Sequence, residues 1–154
     1  MTRRTALMLG GAGALAVSGV ATWAYMPGGY LTRDARWFRA IKADPMASNP
    51  LLGRTAVRVR EHGPAGLFDI KRTTPWIDHY FRDDSIGPHT LAEELITHAQ
   101  KVGWTHDTTI SIDNSWTARR EHNNPDGTMT LTIMTITDIN PTSFIYGTAA
   151  VTLH

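Results

Sequence analysis

PHTLAEELITHAQKVGW, residues 88–104, is the stretch whose reading decides the fold. At 100° per residue, Leu91, Ala92, Leu95, Ile96, Ala99 and Val102 gather in one apolar sector, with Glu93, Glu94, Thr97, Gln100 and Lys101 opposite. That spacing predicts an amphipathic helix. Thr90, with Glu93 three residues on, predicts a capping box at its start. Gly103 followed by Trp104 predicts a left-handed stop with a hydrophobic contact. A helix with one apolar stripe has to bury it, so the flanking segments must supply a sheet.

They read as strands. On the N-terminal side, RTAVRVRE (54–61) alternates Val57 and Val59 with Arg58 and Arg60, the pattern of a half-buried strand closed by HGPAG (62–66). LFDIK (67–71) is a candidate second strand. TPWIDHYFRDDSIGP (74–88), aromatic-rich and punctuated by prolines, predicts an irregular segment covering one edge or end of the core. After the helix, TISIDNSWTAR (109–119) places Ile110, Ile112, Trp116 and Ala118 on one face, and NNPDG (123–127) reads as a turn with Gly127 at positive φ. In TMTLTIMTITD (128–138) the apolar phase slips from Met129, Leu131 and Ile133 to Met134 and Ile136, which predicts a β-bulge near Ile133. FIYGTAAVTLH (144–154) sets Ile145, Ala149, Val151 and Leu153 against Phe144, Tyr146 and Thr148. The expected fold class is α+β: a strand or hairpin, a helix, then a three-stranded meander, with the helix on one face of an antiparallel sheet. At the level of architecture this order resembles the cystatin-like and other helix-on-curved-sheet domains of small extracytoplasmic proteins, a resemblance that implies binding roles more than chemistry.

Composition supports one ordinary globular domain, with 42% hydrophobic and 19% charged residues and no repeat. The chain has no cysteine, which excludes disulfides, thiolate metal sites and a cysteine nucleophile together. The net charge of +1 conceals an asymmetry. Pro27–Arg72 holds nine Lys/Arg against four Asp/Glu, while Thr73–His154 holds four against ten. Such blocks are either solvated faces or surfaces for an anionic membrane and a cationic partner.

The domain is preceded by a different kind of sequence. Ala6–Met26 is 21 residues without a charge, long enough as a helix to cross a bilayer core of about 30 Å. TRRTAL, with Thr2, Arg3, Arg4 and Leu7 in place, resembles the twin-arginine export signal, although Ala6 stands where that motif has Phe. The resemblance covers the N-terminus only and implies export of the domain. GVATWAYM (19–26) offers a poor cleavage site, and Trp23 and Tyr25 suit the aromatic belt of a retained anchor. The expected organisation is therefore a signal-like anchor at 1–26, a juxtamembrane helix and linker at 27–53, and an α+β domain at 54–154 on the extracytoplasmic side, the alternative being secretion after cleavage. In TRDARWFRAIKADP (32–45), Thr32 caps a helix that Pro45 ends. Trp37 and Phe38 either enter the membrane interface or pack on the domain, with Arg33, Arg36, Arg39 and Lys42 around them.

Candidate chemistry is sparse. The densest constellation is DHYFRDD, in which His79 with Asp78, Asp83 and Asp84 is the candidate acid–base or metal site of a hydrolase. His98, four residues after Glu94, is expected to pair with it, and His62, His106 and His122 fall in predicted turns. No nucleophile elbow, phosphate-binding glycine loop or His-Glu-x-x-His motif is present, so no cofactor is implied. The domain is slightly acidic and has no basic stripe interleaved with aromatics outside the 32–45 helix, which argues against nucleic acid. The leading expectation is an anchored binding or accessory module whose partners are membrane lipid and a protein or second copy. If FIYGTAAVTLH is an edge strand, Tyr146, Thr148 and Ala150 form the partner contact; if it is central, it pairs with TAVRVRE.

Overall fold

The computed structural model describes residues 26, 29–66, 73–110, 114–123, 126–137 and 139–154. Arg3, Arg4, Trp23, Tyr25 and the LFDIK candidate strand lie outside these residues. Among those described, no helix is long and apolar enough to cross a membrane.

The elements are helix α1 (Arg33–Ala43), a 3₁₀ turn (Pro45–Ala47), strands β1 (Arg58–His62) and β2 (Trp76–Phe81), helix α2 (Gly87–Lys101), and strands β3 (Thr105–His106), β4 (Ser115–Asn123), β5 (Asp126–Ile136) and β6 (Thr148–Leu153). The six strands form one antiparallel sheet in the order β1-β2-β6-β5-β4-β3. Both helices lie on one face. There Leu91, Leu95 and Ala99 of α2 and Ile41 of α1 meet Ile77, Phe81, Leu131, Ile133, Val151 and Leu153 in a single buried cluster.

The helix ends show how local chemistry sets the boundaries. Thr32 caps α1, its hydroxyl accepting the Ala35 amide. α2 ends as expected: with Gly103 at φ +92°, its amide donates to Gln100 and the Trp104 amide to Ala99, and the Trp104 side chain is buried. Its start differs. The helix opens one turn before Thr90, at Gly87, with no side-chain cap. Pro88 suits a first turn, whose amides have no partner in the helix.

Several strand expectations are corrected by the register. Residues 76–81 form an interior strand, not an irregular cover. Ile77, His79 and Phe81 face the helices while Tyr80 is buried on the other face, so the segment lacks the alternation of a half-buried strand. β5 keeps an unbroken one-to-one register with both neighbours, so there is no bulge at Ile133. Met134 and Ile136 instead lie half-buried on the outer face. Gly127 pairs with His122 inside the β4–β5 ladder at an ordinary φ. Its use is steric: a Cβ there would lie 3.1 Å from the Trp37 indole, so glycine lets α1 seat its tryptophan against the sheet. Ile110 is exposed and precedes β4. β6 is a central strand, paired with β2 and β5; Thr148 and Ala150 are buried, so its flanks carry no free edge for a partner. The sheet ends at β1 and at the two-residue β3; Val59 of β1 and Val57 just before it are exposed.

Candidate functional site

The pleat of β2 takes the 78–84 constellation apart. Successive side chains of a strand point to opposite faces, so His79 goes to the helix face and Asp78 to the outer one. His79 is 3% exposed, edge-on to the Phe81 ring at 5.9 Å, and its Nδ1 has no hydrogen-bond partner. Burial pushes its pKa below the usual 6.5, against the opposing pull of Glu61 and Asp78 and a backbone contact at Ser48. Asp83 lies beyond the strand and organises the turn into α2. It accepts from the Ser85 hydroxyl and amide and from Arg54 Nε at 2.7 Å, contacts that hold its carboxyl down at about 2. Asp84 is exposed. Among the described residues no three His, Asp or Glu side chains come together in a way that would hold a metal ion.

Other histidines and acids have packing or ion-pair contacts of their own. Glu94 pairs with Arg54 at 2.9 Å, which gives it a partner other than the expected His98. His62, His106 and His122 sit in strands, not turns: His62 stacks on Trp76, His106 stacks on Trp116, and His122 meets the Trp37 ring edge-on. Trp37 and Phe38 are half-buried against the core, so α1 packs them on the domain. Arg33 and Arg36 are exposed, and Arg39 lies over the Tyr30 ring at 3.8 Å.

No motif forewarns of the buried hub at Asp44. Its carboxylate caps the 3₁₀ turn through the Met46 amide, accepts from Trp104 Nε1 and is ion-paired to Arg120. Arg120 lies over the Trp104 ring at 4.5 Å and donates to the Val102 carbonyl. This ties the ends of α1 and α2 to β4. An acid and a base 76 residues apart leave no local signal, so only the fold pairs them.

The hollows are shallow. A cleft of about 440 Å³ lies where the start of α1 meets Pro75, Thr128 and His154. Burial lowers the His154 pKa, opposed by Asp78. Asp34 and Arg33 line the same cleft as His154.

The surface feature that stands apart is the β1 margin. Val57, Val59 and Phe144 are among the most exposed large apolar side chains, at 51%, 40% and 55%. Arg58 lies 4.4 Å from the centre of the Phe144 ring and Arg60 lies 5.3 Å from that of Trp76. Arg82 donates to the carbonyls of Phe144 and Tyr146, which fastens the half-buried Tyr146 and its loop beside the sheet. Compared with known proteins, the chain matches no family model, no curated protein and no solved structure.

Proposed function

We propose that this chain is a binding or accessory module, held at a membrane by its N-terminal segment with the folded domain on the extracytoplasmic side, and that it acts by engaging a protein partner. The observation that carries the reading is the dispersal of residues 78–84. The strongest acid–base candidate in the sequence is sealed inward at His79 and committed to a turn at Asp83, so the hydrolase alternative lacks a working constellation. A folded domain with an exposed sheet margin and shallow hollows is better suited to holding another chain than to enclosing a small substrate.

The anchoring part rests on the 21 uncharged residues Ala6–Met26 and the twin-arginine resemblance before them. α1 supports it from the other side. With Trp37 and Phe38 turned onto the core, its exposed residues include Arg33 and Arg36, whose charge suits lipid phosphates. Fractionation tests this. The full chain is expected to sediment with membranes, to resist a high-salt wash and to release a partner only in mild detergent. Recovery of a soluble form lacking residues 1–26 would overturn the anchor, and a lone monomer in gently solubilised membranes would overturn the accessory role.

A further inference from the structure

We propose that the free edge of β1 is the partner site, and that it takes an extended acidic segment of another protein, which joins the sheet as an added strand. This rests on the reading of the chain as a partner-binding module and supplies the surface and the chemistry of the partner. Among the described residues, β1 ends the sheet and is paired on its β2 side alone. Its residues Arg58–Glu61 are all exposed. Such an edge presents backbone groups that a second chain can extend.

The side chains define what that chain must be. Arg58 and Arg60 point to the outer face and Val59 to the helix face, with the exposed Val57 just before the strand. Neither arginine is in an ion pair among the described residues, although Asp78 is the cross-strand neighbour of Arg60 on the same face; each guanidinium rests on an aromatic ring, Phe144 or Trp76. A guanidinium already held on a ring loses less freedom when a carboxylate arrives, and its planar fork matches one in geometry. An added strand would set alternate side chains beside the arginines and the others beside the valines. The fitting segment therefore alternates Asp or Glu with apolar, β-branched residues. A second copy of β1 fits badly, because antiparallel self-pairing about Val59 or Arg60 puts arginine against arginine.

The test uses the full chain in detergent micelles and a short labelled peptide alternating valine with glutamate. Its lysine counterpart and two versions N-methylated on alternate amides serve as comparisons. The glutamate peptide is expected to bind and the lysine peptide not to. One methylation pattern should abolish binding and the other leave it intact, since only every second amide of an added strand faces the sheet. The double variant Arg58→Gln/Arg60→Gln, first shown to keep its thermal midpoint, should bind about tenfold more weakly or worse. Failure of the glutamate peptide to bind, equal binding of the two charge types, equal tolerance of both methylation patterns, or an unaffected double variant each overturns the proposal. None of these readouts depends on membrane fractionation, so a soluble chain would sink the anchor and leave the edge standing, and the reverse holds too.

Discussion

At the scale of single residues, the molecule depends on a few polar groups that burial makes costly to disturb. Asp44 is the sharpest case: its removal leaves Arg120 facing the Trp104 ring and the Val102 carbonyl without its counter-ion. The charge left behind is 29% exposed and so partly hydrated, and with the Met46 amide also losing its cap, Asp44→Ala should lower the free energy of unfolding in urea by about 2–3 kcal/mol. A loss below about 1 kcal/mol would mean that Arg120 finds water instead. His79 makes a prediction in pH. Its folded pKa lies below 6.5, so the unfolded chain binds the proton more readily, and the stability contributed by neutral His79 is complete above 6.5 and lost as pH falls below it. His154 shifts the same way, whereas the lowered Asp83 carboxyl adds a loss in a separate window, from 3.8 down towards about 2. His79→Leu should therefore flatten the fall in stability as pH drops below 6.5 without abolishing it. An unchanged fall would assign it elsewhere.

At the scale of elements, legibility follows the strength of the local signal. α2 is readable because its apolar stripe, its Gly103 stop and its Trp104 contact all agree, and only its start differs, lying where Pro88 can open a turn. β2 is not readable. A strand buried on both faces has no alternation to detect, and its one buried polar residue, His79, interrupts the apolar run that would mark such a strand. Gly127 misleads for a related reason: glycine beside Asn-Pro-Asp signals a turn, yet the requirement it meets lies in α1, 90 residues away. Replacing it by valine should push the indole of Trp37 off the sheet and cost about 1–3 kcal/mol, measured by thermal unfolding. The same change made on a Trp37→Ala background should cost clearly less, because the obstacle is gone. Equal costs on both backgrounds would place the strain in the β4–β5 ladder rather than against α1.

At the scale of the whole molecule, the decisive fact is the place of β6. Among the described residues the β1–β2 hairpin and the β3–β4–β5 meander share no ladder; β6 pairs with β2 on one side and β5 on the other and so joins them into one sheet. No periodicity in the sequence announces this, because strand order is set by long-range pairing. The one local cue points the wrong way: β6 carries no charge, which reads as an unguarded edge but is equally the mark of a strand with no edge at all. An open edge lies at β1, whose Arg58, Arg60 and Glu61 restrict which strands can pair with it, and the candidate partner site moves there. Joining the sheet through one strand leads to a prediction about cooperativity. A chain ending at Gly147 loses Ala149, Val151 and Leu153 from the core along with both β6 ladders, so neither half retains a complete inner face. It should lose cooperative unfolding altogether rather than show a lowered midpoint, and its helix content should melt gradually, since α2 packs chiefly on β5 and β6. Adding back residues 148–154 as a separate peptide should restore a cooperative transition in proportion to its concentration, because binding only the folded form stabilises it by mass action. A truncated chain that still unfolds in one sharp step would mean that the hairpin and the meander meet without β6, and a sheet in which β6 alone joins β2 to β5 would have to be redrawn.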